Sequence, residues 1–213
     1  MLDLFLIRHG NTFTADQTPI WVGAAEDLPL VDKGREQAKA IGAAFLQAGI
    51  TPARAITGPL QRTRETASMI MELAANGRDY EVDQRLTEIH YGAWGGRNDE
   101  EIIAQYGKEV LDLWNKKSLF PPQAGWAPDI STIHARIHAI AAEIVAQPHS
   151  PTLIISSNGI LRFFLELIPN AFAKAVEEQQ FKMKTGHVSW LQYNGQDWHI
   201  KQWNVPPSLI FVK

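Results

Sequence analysis

Two spacings of apolar residues alternate along this chain, one suited to strands and one to helices. Leu2 to Ile7 is a short, almost continuously apolar run, as expected of a strand buried on both faces. A helix is predicted from about Gly34 to Ala48, with Asp32 near its start, Gly49 as its stop, and Ala38, Ile41, Phe45 and Ala48 at helical spacing. Ala53 to Thr57 predicts a second strand and Leu60 to Leu73 a second helix. Asn98 is placed to cap a helix running through Tyr106, and a further helix reaches Lys116. Ile130, Ile133, Ile137, Ile140 and Ile144 form one stripe of a long helix ending near Ala146. Thr152 to Ser156 is the next buried strand, and Ile160 to Leu167 a helix leading away from it. Val188 to Tyr193 and Trp198 to Trp203 flank Asn194-Gly195, a favoured two-residue hairpin turn.

This alternation predicts a single α/β domain over residues 1–213, built as a three-layer sandwich. Its central sheet is expected to be mostly parallel, with helices on both faces and antiparallel strands at the end of the chain. A cap or insert is expected at about residues 89–128. Within it, Ser118 to Pro128, with three prolines and Gly125, reads as a loop long enough to cover a site. Sites in such sheets lie beyond the carboxyl ends of strands. That rule selects Arg8-His9-Gly10 and Ser156-Ser157-Asn158-Gly159.

Composition narrows the function classes. Twenty Lys and Arg against 23 Asp and Glu give a formal charge of −3, which argues against a generic nucleic-acid or anionic-membrane binder. Any anion handled here must meet a local cluster of positive charge. There are no cysteines, which excludes a disulfide scaffold, thiolate-ligated zinc, an iron–sulfur cluster and a cysteine nucleophile. No apolar run approaches the ~20 residues that span a bilayer. Asp3 stands where a signal peptide wants bases, so a soluble cytoplasmic protein is expected.

Three clusters carry chemistry. Arg8-His9-Gly10 leaves the first strand with an imidazole suited to act as base or nucleophile, beside a guanidinium whose planar fork fits a phosphate dianion. Gln61-Arg62-Thr63-Arg64-Glu65-Thr66-Ala67 opens a helix, so Arg62 falls in a first turn, where the dipole favours anions; the bland alternative is an exposed face on which Arg62 and Glu65 pair weakly. Leu86-Thr87-Glu88 precedes Gly92-Ala93-Trp94, and Glu88 suits a general acid if it is partly buried. His134 and His138 stand four apart, but no third metal ligand is evident, and they read as the edge of the isoleucine-striped helix. Trp21, Trp94 and Trp126 are candidates for the mouth of a site or for packing beneath it.

In this order and spacing, the three clusters resemble the histidine phosphatase superfamily, the phosphoglycerate mutase-like proteins, from Leu4 to about Leu167. The resemblance implies phosphoryl transfer without a metal or other cofactor, on a phosphorylated small molecule. His9 would attack phosphorus, Arg8 and Arg62 would hold the nonbridging oxygens, and Glu88 would protonate the leaving oxygen.

The chain departs from the family pattern in three places. Asn158 stands where a second histidine is expected; its amide can donate to a phosphoryl oxygen but carries no charge, and the amides opening the next helix could supply part of the lost field. Ala15 replaces an asparagine, and Gly125-Trp126-Ala127 replaces Gly-Glu-Ser. His90-Tyr91-Gly92 is similar to the mutases, but Ile89 stands where those usually have arginine, and Gly92 to Arg97 looks more like the phosphatases. A phosphatase is therefore expected. Phosphoglycerate mutase-type transfer and a phosphate-binding module with impaired catalysis are the alternatives, and the C-terminal hairpin offers an edge for a homodimer.

Overall fold

The computed structural model describes residues 1–212. Strand β1 (Leu2–Arg8) shows why the chain must form layers on both sides of a sheet. Leu4, Phe5, Leu6 and Ile7 are all essentially inaccessible to solvent. Leu4 and Leu6 enter a core with Ile133, Ile137 and Ile140, while Phe5 and Ile7 enter a second core with Ile41, Phe45 and Ile70. Adjacent side chains on a strand point to opposite faces, so a run with no polar position needs cover above and below.

The second layer comes from α1 (Asp32–Gln47) and α2 (Gln61–Ala74), and the third is led by α5 (Ile130–Ala146). Between them lie β2 (Arg54–Thr57), β3 (Glu81–Val82), β4 (Thr152–Ser156), β5 (Val188–Tyr193) and β6 (Trp198–Val205). The strand order is β3-β2-β4-β1-β5-β6. Pairing is parallel from β3 through β1 and antiparallel for β1 with β5 and β5 with β6. The expected mostly parallel α/β sandwich is therefore present.

Some local expectations needed correction. The hairpin between β5 and β6 is closed by four residues, because Asn194 Oδ1 accepts from the backbone N–H groups of Gln196 and Asp197, both at 2.8 Å. The helix expected over Ile160 to Leu167 is a single α turn, α6 (Asn158–Leu161), continued as a 3-10 turn over Arg162–Leu167. Two short elements had no apolar periodicity to betray them: β3, an exposed edge, and α7 (Ala171–Glu177), which buries no residue. Helices α3 (Asp99–Tyr106) and α4 (Lys108–Lys117) lie close to their predicted spans, and Asn98 caps α3 in a reciprocal box with Glu101.

The loop of residues 118–128 braces the fold rather than covering a cleft. Ala93 N–H donates to the Ala124 carbonyl, His90 bridges to Ala127, and Trp126 packs among Trp21, Tyr91, Trp94, Trp114 and Phe120. Trp94 is wholly buried; of the three candidate tryptophans only Trp21 reaches a cleft. No helix among the described residues is long and apolar enough to cross a membrane.

Candidate active site

The register of β1 against β4 creates the site. Arg8 faces Ser156 at the carboxyl ends of the two strands, so the Arg8-His9-Gly10 turn and the Ser157-Asn158-Gly159 turn emerge side by side. His9 N–H donates to the Ser156 carbonyl at 3.1 Å. At Gly10 the chain passes so close to the start of α1 that any Cβ would collide with the Gly34 backbone, and Gly10 N–H donates to Thr66 Oγ1 at 3.2 Å. These contacts fix the backbone under the imidazole.

His9 is only 6% exposed. Its Nδ1 lies 2.7 Å from the Gly10 carbonyl, which can only accept, so the proton belongs on Nδ1 and the Nε2 lone pair is free. Burial, then the positive charges of Arg62 and Arg8, hold the imidazole pKa well below its usual 6.5, against the pull of the Gly10 carbonyl. The ring is thus neutral near pH 7 and presents one nucleophilic nitrogen.

Two arginines flank it. Arg62, in the first turn of α2, is 1% exposed and donates to the carbonyls of Glu26 (2.9 Å) and Gly23 (3.1 Å). It is not on a solvated face, and Glu65 lies against Arg35 instead. Arg8 donates from Nη1 to the Met183 carbonyl at 2.6 Å. Burial lowers both guanidinium pKa values, with Glu88 the first opposing charge. Neither forms an ion pair among the described residues, whereas Arg54 and Arg85, outside the cleft, share Glu143 and hold Glu81 and Asp83. Carbonyls orient the cleft arginines without neutralising them, which leaves their charge for an anion.

Glu88 is brought to the same place by the β4 end. Ser156 Oγ donates to the Leu86 carbonyl at 2.8 Å, and Glu88, 5% exposed, accepts from Ile89 N–H (2.8 Å) and Gly159 N–H (3.1 Å). Tyr91 closes the floor; burial, then Glu88, pushes its phenol well above 10, so it is a neutral donor.

Asn158 lines the cleft, but its Oδ1 is committed to Met183 N–H at 2.8 Å, which leaves Nδ2 as the free donor. The expected field from the following helix is absent. Gly159 N–H is directed at Glu88, and the Ile160 and Leu161 amides bond the Ser157 carbonyl. A residue that the sequence reading missed stands in its place. Arg162, 1% exposed, donates to the Asn158 carbonyl (3.1 Å) and to Ser118 Oγ (3.0 Å), and stacks 3.9 Å from the centroid of Trp114. Burial lowers its pKa to about 10. Its signal in the sequence is a single cation inside the apolar run Ile160 to Leu165, one helical turn after Asn158.

The cleft occupies about 1230 Å³, with Arg8, His9, Arg62, Glu88, Asn158 and Arg162 all on its lining. Its rim includes residues 12–15 and 17–22, so Ala15 is an exposed rim position, and Trp21 Nε1 donates to Asp99 Oδ1 at 2.7 Å, tying that segment to α3. Gly125-Trp126-Ala127 does not reach the cleft. No cluster of three or more His, Asp or Glu able to hold a metal occurs among the described residues, and His134 packs on Phe163 with Glu166 3.9 Å away.

Comparison with known proteins matches this architecture. The family model described as the histidine phosphatase superfamily (branch 1) matches residues 4–206. A 2,3-bisphosphoglycerate-dependent phosphoglycerate mutase of Hydrogenobaculum sp. is 35% identical over 130 residues, 57% of this chain and 49% of that protein, so the chain aligns with about half of the mutase. The "probable phosphoglycerate mutase GpmB" of Salmonella arizonae is 28% identical over 96% of this chain and 91% of its own length. Among solved structures, a mycobacterial glucosyl-3-phosphoglycerate phosphatase superposes with a TM-score of 0.80 at 23% identity, covering 96% of this chain and 100% of the other. The alpha-ribazole phosphatase of Shigella flexneri gives 0.73 at 20% identity, with 96% and 97% covered. At such identities the structural likeness is one of fold.

Proposed function

The chain belongs to the histidine phosphatase superfamily, and on that footing we propose that it is a metal-independent phosphomonoesterase working through a phosphohistidine on His9. The observation that carries this reading is the neutral, buried imidazole with its Nε2 free, between two guanidinium groups that have no acidic partner among the described residues. Such a nitrogen is of use to a phosphoryl group and of little use to a proton shuttle exposed to water.

In the first half-reaction the His9 Nε2 lone pair forms a bond to phosphorus as the ester P–O bond breaks, and the leaving oxygen takes a proton from the Glu88 carboxyl. Arg8 and Arg62 hold the nonbridging oxygens, and Asn158 Nδ2 donates to one of them. In the second, the Glu88 carboxylate takes a proton from water while the water oxygen attacks phosphorus and the N–P bond breaks. Phosphate-monoester hydrolysis needs accelerations of up to ~10²¹. A general acid supplies about 10²–10⁴ of this, so charge stabilisation and the covalent intermediate carry most of it.

Residues 89–128, bearing α3 and α4, act in this reading as a cap whose start helps to form the rim through Asn98 and Asp99. Hydrolysis is preferred to isomerisation because Ile89, where mutases usually carry an arginine, is wholly buried and adds no cation to the cleft. The phosphatases among the solved relatives support the same choice. The mutase reading is favoured by the names of the curated relatives.

The test is hydrolysis of p-nitrophenyl phosphate in EDTA by the protein and by His9→Ala, beside an assay of 2- and 3-phosphoglycerate interconversion with a bisphosphoglycerate primer. Metal-independent turnover that vanishes in His9→Ala is expected. Isomerisation well above hydrolysis would establish the mutase instead, and reversible ligand binding without either reaction would establish a binding module.

A further inference from the structure

A second cavity, of about 740 Å³, lies at the opposite end of α1 from the cleft, and its size is that of a small-molecule site. Asp32 and Lys33, which open α1, line the cleft, whereas Ala44 and Gln47, near its close, line this cavity. The 16 residues of the helix measure about 24 Å. The two cavities have no lining residue in common, and the reaction described above makes no use of this one. Two half-buried rings wall it. Trp190, on β5, stacks on Phe5 with centroids 5.3 Å apart, and its Nε1 donates to Asp3 Oδ1 at 2.8 Å, so the indole is held from behind. Phe211 packs 5.0 Å from Phe45 and 6.3 Å from Trp190.

Strand β6 delivers two consecutive side chains to this cavity, Lys201 and Gln202, although neighbours on a regular strand point to opposite faces. The pairing explains it. Leu191 faces Ile200 and Trp190 faces Gln202, so Lys201 is an extra residue, and the bulge turns both side chains the same way. Lys201 is the one ionisable residue on the lining. Its Nζ stands 6.0 Å from the centroid of the Trp190 ring, and it forms no ion pair among the described residues. Gln202 donates from Nε2 to the Leu209 carbonyl at 3.2 Å, which fixes the amide and leaves Oε1 buried with no donor among the described residues. A buried acceptor in that state costs free energy until a donor reaches it.

We infer that this cavity is a second ligand site, for a flat aromatic carboxylate that carries an N–H donor on its ring edge, the chemistry of an indole acid. The ring lies against Trp190 and Phe211, the carboxylate meets the Lys201 ammonium, and the N–H satisfies Gln202 Oε1. The inference is independent of the reaction proposed for His9.

Calorimetry with four probes tests it: indole-3-acetate; 1-benzothiophene-3-acetate, an isostere without the N–H; tryptamine, which reverses the charge; and decanoate, which has no ring. Indole-3-acetate is expected to bind about fivefold more tightly than the benzothiophene acid, as one added hydrogen bond gives, and about tenfold or more above tryptamine and decanoate. Lys201→Met should weaken indole-3-acetate about threefold and leave tryptamine no weaker. Ala48→Trp, at an exposed lining position, should abolish binding by filling the cavity. Should that variant fail to fold, Lys201→Met, also at an exposed position, keeps the test decisive. Binding should be unchanged in His9→Ala and in saturating inorganic phosphate, which separates this site from the cleft. Displacement by phosphate, undiminished binding in either cavity variant, equal affinity for the two isosteres, tighter binding of decanoate, or no binding of any probe at millimolar concentration would each overturn the inference.

Discussion

The backbone N–H of Gly159 donates to Glu88 at 3.1 Å, and the glycine is packed so tightly there that any Cβ would collide with Glu88 Oε1 and crowd the Tyr91 hydroxyl. The asparagine–glycine pair after β4 therefore does two separate jobs. Asn158 faces the cleft, and Gly159 seats the proposed acid.

Gly159→Ala is accordingly expected to displace the Glu88 carboxyl while leaving His9 in place. Loss of a positioned general acid costs about 10²–10⁴ in rate. We expect kcat on an alkyl phosphate to fall by about 10²-fold or more, and kcat on p-nitrophenyl phosphate, whose leaving group needs little protonation, to fall much less. Equal losses on both substrates would remove Glu88 from the proton-transfer role.

The imidazole of His9 sets a pH dependence with a definite sign. Its folded pKa lies well below the 6.5 of an exposed histidine. Above pH 6.5 both folded and unfolded states carry a neutral ring, and its contribution to stability is complete. As pH falls below 6.5 the unfolded chain takes up the proton first, so stability declines until the folded pKa is passed. The acid limb of kcat/KM should likewise lie well below pH 6.5. Arg62→Met removes the first-named charge that lowers the ring, so its His9 resonance should titrate closer to 6.5 by NMR. An unshifted titration would contradict the assigned cause.

Asn158→His tests what the missing second histidine means. A titrating ring at that position should add or shift an ionisation in the pH–rate profile, and an unchanged profile in an active variant would show that position 158 does not sense the phosphoryl group. Asn158→Ala leaves Met183 N–H without its acceptor. A thermal unfolding loss corresponding to about 1–3 kcal/mol is expected from an unsatisfied buried donor.

The rim gives a different kinetic signature. Trp21→Phe removes the indole donor to Asp99, the tie between residues 12–22 and α3. With the chemistry untouched, KM should rise several-fold while kcat changes by less than about twofold. A fall in kcat with constant KM would place the tie in catalysis rather than in substrate capture.

Much of this was legible from residue order. Leu2 to Ile7 read as a strand buried on both faces, and its end carries Arg8 and His9 to the carboxyl end of the sheet. Arg62 was visible in outline, as a cation at a helix start, yet its burial was not, because the carbonyls that hold it come from residues 23 and 26 and no local pattern marks them. Arg162 escaped notice for a related reason. It stands in an apolar run that reads as core, and only the rings of Trp114 and Phe181, from distant segments, make a charge tolerable there. The loop around Trp126 was legible as a loop but misjudged as a cover, since proline content says nothing about which face of a domain a segment lies on. The short β3 and α7 lack the length that periodicity needs.

The central position of β1 has a consequence for assembly of the chain. Both of its sheet neighbours are made late: Leu4 pairs with Thr152 on one side and with Leu191 on the other. Contacts of such long range form slowly, because the intervening chain must be closed first. During synthesis the apolar segment from Leu2 to Ile7 therefore waits without strand partners until β4 has been made, with only α1 and α2 available earlier to cover Phe5 and Ile7. The anion cleft cannot exist before β4 and the Met183 region arrive, which makes phosphonate binding a reporter of completed folding, and an unpaired amino-terminal strand the point at which a stalled chain is open to chaperones or to aggregation.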